Sequence, residues 1–430
     1  MPKGKTTEEK SMKKFLALLL AAVLLFAFAA CGGKTEDTTT TAAGSSEEST
    51  APVATDVDYS KVKIGLICLH DENSTYDNNF IQALKDTQEK LGLSDDQVLI
   101  KTNIPEDDKC LSAAQELADA GCNIVFADSF GHEGFLKQAA EEFPEVQFCH
   151  ATGTSAKTAG IKNFHNAFAS IYEGRYLAGI AAGMKLNEMI EDGKIKAEEA
   201  VIGYIGAYDY AEVVSGFTSF FLGARSVCES ATMKVTYTKS WFDIALEREA
   251  ALSLINDGCV LISQHADSEG APKACEEKGV PNVAYNIDTT SMGPNTAIIS
   301  SKINWSPYYE LIINAVAKGE EFAADWCGTL ATESVQLTKL NEAAAAKGTQ
   351  EAIDAAVAKL EKGELNVFDT DTFTVDGKKL DSYMADVIPD EKFEADTEVI
   401  KDGAFCESDV EGMRSAPYFD IKYIDGITEK

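Results

Sequence analysis

Positive charge is what this sequence is short of. Lysine and arginine together number 38 against 70 aspartates and glutamates, and the formal net charge is −32. So acidic a surface repels phosphate backbones, which excludes nucleic-acid binding and argues against adhesion to anionic lipid by charge. Histidine is scarce as well, and the five present (His70, His132, His150, His165 and His265) show no metal-ligand spacing. No CxxC pair occurs among the ten cysteines, so zinc-ribbon and thioredoxin-type sites drop out. There is no GxSxG elbow and no HExxH helix. Gly174 and Gly179 have the spacing of a phosphate loop but lack the Lys-Ser/Thr that should follow. Binding rather than turnover is the expectation, with no enzyme activity, cofactor or metal.

Long apolar runs are also missing, with one exception. FLALLLAAVLLFAFAA, residues 15–30, follows the basic pair Lys13 and Lys14. It is shorter than the ~20 residues a helix needs to cross a bilayer core, so a secretory leader fits better than an anchor helix. The run ends in Phe28-Ala29-Ala30-Cys31. Small residues before a cysteine resemble the lipobox of bacterial lipoproteins, which implies cleavage after residue 30 and a lipid on Cys31. Several acyl chains together make a stable anchor. From 31 to 58 the chain is rich in Thr, Ser, Ala and acids, with almost nothing to bury, and reads as a disordered tether. The nine other cysteines are scattered, several in apolar stretches, and are expected to be mostly buried free thiols.

Past the tether, short apolar runs alternate with amphipathic stretches. KVKIGLICL (61–69) is continuously apolar, as a strand covered on both faces must be. Helices are expected at 78–91 and 109–120, with strands at 97–103 and 122–129. The pattern then repeats through a helix at 172–185, a strand at 201–207 and a helix at 211–227. Further along, LNVFDT (365–370) reads as a strand. Repeated βα units in a chain this long predict an α/β protein of two doubly wound, Rossmann-like lobes. That is the type I periplasmic-binding-protein fold, with a ligand cleft between the lobes beyond the carboxyl ends of the strands. Lobe 1 is expected over 59–168 with parts of 295–430, and lobe 2 over 169–294. Residues 320–430 should complete and cover both.

Glu173-Gly174-Arg175-Tyr176-Leu177-Ala178-Gly179 resembles the EGxYLAG motif of the basic membrane protein family of substrate-binding lipoproteins. Tyr76-Asp77-Asn78-Asn79-Phe80, Phe143-Pro144-Glu145-Val146 and Ile202-Gly203-Tyr204-Ile205-Gly206 resemble the same family. The resemblance implies an ABC importer, a permease as partner, and a purine nucleoside or nucleobase as ligand. Carried over residue by residue, it implies contacts from Asp77, Asn79, Phe80, Asp128 or Phe130, Asn286, Asp288 and Lys302. An aromatic face stacks on a base while a carboxylate accepts from ribose hydroxyls. Gly216 stands where the family has a stacking aromatic, and Trp241 is positioned to replace it. The loop at 264–270 is richer in polar groups, which adds Asp267. His70 and His132 lie on loops beyond strand ends and are further polar candidates. A sugar or signalling molecule, or ligand sensing without transport, are the alternatives.

Overall fold

Ile64–Ile67 (β1) has every residue buried. Its side chains alternate: Ile64 and Leu66 enter one hydrophobic cluster, Ile67 another. Ile124–Ala127 (β3) divides the same way, Ile124 and Phe126 on one face, Val125 and Ala127 on the other. Two covered faces and a period of two are what a central parallel strand requires. The computed structural model describes residues 57–388, 395–407 and 414–430. The leader, Cys31 and nearly all of the tether lie outside the described residues.

Val98–Lys101 (β2), Gln147–Ala151 (β4), Phe164–Ala169 (β5) and Asp325–Gly328 (β11) complete the first sheet, in the order β11-β5-β4-β3-β1-β2. All its pairings are parallel. Helix α1 (Thr75–Leu91) starts at Ser74, whose side chain caps the Asp77 N–H, and stops at Gly92 in the left-handed conformation. It covers one face together with α8 (Ser306–Lys318). Helices α2 (Asp108–Asp119) and α3 (Glu133–Glu142) cover the other.

The second sheet runs β12-β10-β9-β8-β6-β7-β13. Its strands are Val201–Gly206 (β6), Thr232–Tyr237 (β7), Leu261–Gln264 (β8), Asn282–Tyr285 (β9), Ala297–Ile303 (β10), Val335–Leu337 (β12) and Ile427–Glu429 (β13). β12 alone is antiparallel to its neighbour. Helices α4 (Ile171–Glu191) and α5 (Ala211–Val227) lie on one face, α6 (Ile244–Asn256) and α7 (Gly270–Lys278) on the other. α4 and α5 touch backbone to backbone. A Cβ on Gly179 would sit 2.0 Å from the Phe220 carbonyl oxygen, and one on Gly223 would sit 2.0 Å from that of Tyr176.

The chain passes between the sheets at 169–171, at 303–306 and at 328–335. The C-terminal part packs on the second lobe. Helix α9 (Thr349–Glu361), Phe368, Phe405 and Phe419 join its larger cluster, and β13 extends the sheet beside β7. LNVFDT differs from the sequence expectation. It forms turns with one isolated bridge at Asp369, and its apolar residues Val367 and Phe368 serve packing instead. A short apolar run does not distinguish a strand from a buried turn.

Candidate functional site

In each sheet the strand order reverses at one place, between β1 and β3 in the first and between β6 and β8 in the second. Loops leaving such strands diverge and open a crevice. Here the two crevices face one another and bound a cleft with about 400 Å³ of empty space. Leu69, His70, Tyr76, Asp77, Ser129, Phe130 and Thr152 line it from the first lobe; Glu212, Trp241, His265, Asp267 and Tyr285 line it from the second.

Aromatic rings make the mouth. Phe130, which is 48% exposed, lies 5.9 Å from Tyr210 across the lobes. Tyr210 stacks on Tyr208 at 5.2 Å, and both contact Trp241. Beneath them the walls are polar. Asp77 accepts from the His70 N–H at 2.7 Å and the Ser74 hydroxyl at 2.5 Å. Burial opposes the Asp77 charge, but these hydrogen bonds outweigh it and hold the carboxyl below its ordinary range. Asp267 is the opposite case: burial, and the charges of Glu247, Asp77 and Glu212, push it well up. Its Oδ1 accepts from the Asn286 amide at 3.0 Å, and Asn286 also donates to the Thr75 hydroxyl at 3.3 Å.

Several backbone conformations at the strand ends are unusual. Asn103, Thr152, Lys239 and Asn286, which follow β2, β4, β7 and β9, all have positive φ. Thr152, at φ 68°, is β-branched and should avoid that region. Strain of this kind gathers where a ligand site dictates the backbone.

The structure brings Asp77, Phe130, Trp241 and Asp267 into the cleft, with Asn286 hydrogen-bonded directly behind. Phe80 is elsewhere, fully buried and stacked on Trp305 at 4.3 Å. Asn79 donates to the Ile303 carbonyl, tying α1 to the crossing segment. Asp128 is buried under the floor, where its carboxylate accepts from the Leu69 N–H at 3.1 Å; burial and the Asp77 charge raise its pKa well up. Asp288 is exposed and accepts from the Thr290 N–H. Lys302 is half-buried on β10 and outside the cleft lining. His132 faces the Ile104 carbonyl oxygen, and burial pushes its imidazole down to about 4. His70 does line the cleft.

Sequence reasoning missed Leu69, Tyr76, Ser129, Thr152, Glu212 and Tyr285 as lining residues, and from the cleft-lining loop at 264–270 it singled out Asp267 but not His265. It also missed Arg175 behind them, whose guanidinium carbon lies 3.4 Å from the Tyr285 ring centre. The available signal was position: Glu212, His265 and Tyr285 all stand at or just beyond a strand's carboxyl end. Among the described residues, one group of side chains is placed to hold a metal. The ligand atoms of Cys68, Asp77 and Asp128 lie within 4.8 Å of one another. Burial, with the Asp128 charge, raises the thiol's pKa well up, which opposes the thiolate that a metal would need. Cys68, Cys110, Cys122, Cys149, Cys228, Cys259 and Cys275 are buried free thiols.

Two doubly wound lobes with a cleft between their strand ends define a type I solute-binding protein. Residues 64–366 match the Bmp family of PnrA-like ABC transporter substrate-binding proteins, and the chain belongs to that family. The family consists of transport receptors, not enzymes. A purine-binding protein of Brucella abortus is 33% identical over 262 residues, which are 60% of this chain and 70% of that one. A putative ABC transporter glucose-binding protein of Haloferax volcanii is 34% identical over 215 residues, 50% of this chain and 51% of the relative. An ABC transporter solute-binding protein from Conexibacter woesei shares the fold with a TM-score of 0.59 at 20% identity, over 71% of this chain and 98% of its own.

Proposed function

We propose that this substrate-binding protein captures a purine nucleoside, nucleobase or similar small heterocycle and delivers it to an ABC permease. In this reading it works outside the membrane, held there by a lipid on Cys31. No helix among the described residues is long and apolar enough to cross a membrane. The observation that carries the ligand reading is the lining itself. Aromatic rings of Phe130 and Trp241 line the cleft together with the carboxyl groups of Asp77, Glu212 and Asp267, and no lysine or arginine is among its described lining residues. Flat rings stack on a base, and acceptors without a facing cation suit a neutral, donor-bearing ligand rather than a phosphorylated one. The Brucella relative's name agrees with this.

A second reading, a sugar, is favoured by the same carboxylates and by the name of the Haloferax relative. Thermal unfolding of residues 59–430 against purine nucleosides, bases and sugars separates the two. Ligand at 100 times its Kd should add about 2.7 kcal/mol of stability. A rise with purines alone supports the first reading; a rise with sugars alone overturns it.

A further inference from the structure

Behind the second-lobe wall, three side chains from separate elements form a chain of contacts. Arg175 on α4 is 1% exposed. It donates through Nη1 to the Gln264 carbonyl oxygen at 2.8 Å, and its Nη2 lies 3.0 Å from Nδ1 of His265. A guanidinium has only donors, so Nδ1 must accept, and the single proton of a neutral imidazole is left on Nε2. Burial, and then the Arg175 charge, hold the His265 imidazole below its ordinary pKa, which keeps it neutral. The Nε2 proton faces Oε1 of Glu212, 3.5 Å away, in the first turn of α5 and in the cleft lining.

Gly216 makes room for this arrangement. A Cβ there would meet His265 Nδ1 at 2.9 Å and lie 3.6 Å from Arg175 Nε. Any side chain at 216 would displace the imidazole from the space between Arg175 and Glu212.

We propose that Arg175 and His265 are positioning residues that hold the Glu212 carboxylate as a fixed hydrogen-bond acceptor in the cleft wall, and that Glu212 thereby selects ligands presenting an N–H donor, such as the exocyclic amine of a purine. The selection half rests on the heterocycle reading above; the positioning half does not. Glu212 is half-buried in the cleft wall, and an acceptor sealed there by a ligand that brings no donor is costly, so ligands lacking the N–H are rejected.

Two measurements test it. The first is 15N NMR of His265 in the ligand-free protein at pH 7, assigned by loss of its signals in His265→Gln. The expected signature is an unprotonated Nδ1 and a protonated Nε2. A protonated Nδ1 overturns the positioning. The second is calorimetry with adenosine against purine riboside and guanosine against inosine, pairs that differ by one amino group. At least one amino-bearing member should bind about 10- to 100-fold more tightly. Glu212→Leu, which has no acceptor, should remove that preference and His265→Ala should blunt it. His265→Gln, whose amide nitrogen reaches about where Nε2 lies, should retain it. A preference absent from the unmodified protein, or intact in Glu212→Leu, overturns the selection. Failure of all four ligands to bind overturns the heterocycle reading and the selection with it, while the NMR result decides the positioning by itself.

Discussion

Thr75 donates its backbone N–H to the carbonyl oxygen of Asp267 at 2.9 Å, so the first turn of α1 in one lobe is bonded directly to the β8 loop of the other. The Asn286 amide reinforces the contact by reaching both residues. The closed arrangement is therefore held by the protein's own groups at one end of the cleft, and a ligand adds its contacts to this latch.

Thr75→Pro tests the latch. Thr75 is the first residue of α1, where proline is tolerated, and Ser74 before it is already extended at φ −77°, ψ 127°. The helix should persist while the N–H is lost. The hydroxyl that accepts from Asn286 goes too, so ligand affinity should fall about 3- to 30-fold by calorimetry, the equivalent of one to two hydrogen bonds, with the circular dichroism spectrum unchanged.

Phe80 and Phe130 should separate stability from binding. Phe80→Ala empties a core position stacked on Trp305 and should cost about 3–5 kcal/mol in denaturant unfolding. Phe130→Ala alters an exposed ring at the mouth. It should weaken ligand binding and leave the Tm of the unliganded protein within about 1 °C, as surface changes usually do.

Stability should decline between roughly pH 5 and 8, the span from ordinary carboxyl values to the raised ones. Burial pushes Glu407 up to about 8 and Glu247 up to about 7. Folded protein thus binds more protons than unfolded protein in that window. The stability contributed by these protonated groups is fully present below the unfolded pKa and is lost as pH rises through the folded values. Glu407 accepts from the Ser215 hydroxyl at 2.6 Å and the Phe419 N–H at 3.3 Å. Glu407→Gln preserves the acceptor carbonyl without a charge. It should flatten the decline and raise the Tm at pH 8, which melting curves across the window would show.

Thr152→Asn should stabilise the protein by about 1 kcal/mol, because asparagine tolerates positive φ and a β-branched residue does not. Since Thr152 lines the cleft, the same change should alter ligand affinity. A melting curve and a titration on one sample check both.

Gly223→Ala should destabilise by about 1–3 kcal/mol or more, because the added methyl meets backbone rather than a side chain that can turn away. An undiminished Tm would mean that α4 and α5 can move apart at little cost.

Much of the fold is written locally. The all-apolar β1 and β3, the alternation of their side chains between two clusters, and helix stops such as Gly92 follow from period and from residue type, so two layered lobes with strand ends facing a cleft were legible from the sequence. Trp241 and Asp267 were legible as cleft positions because a strand's carboxyl end is a place along the chain, whereas Asp77 and Phe130 came from the family resemblance. What only the tertiary structure decided is which way each side chain turns and what it meets. Phe80 and Phe130 are both phenylalanines beyond a strand end, yet one packs on Trp305 and the other on Tyr210. Arg175, His265 and Glu212 come from α4, the end of β8 and the start of α5, and no spacing along the chain brings them together. Their meeting depends on the close crossing of α4 and α5, on the register of β6 beside β8, and on the room left by Gly216. Local propensity and periodicity set elements one at a time, whereas a site of this kind exists only where several packed elements fix one another's distances.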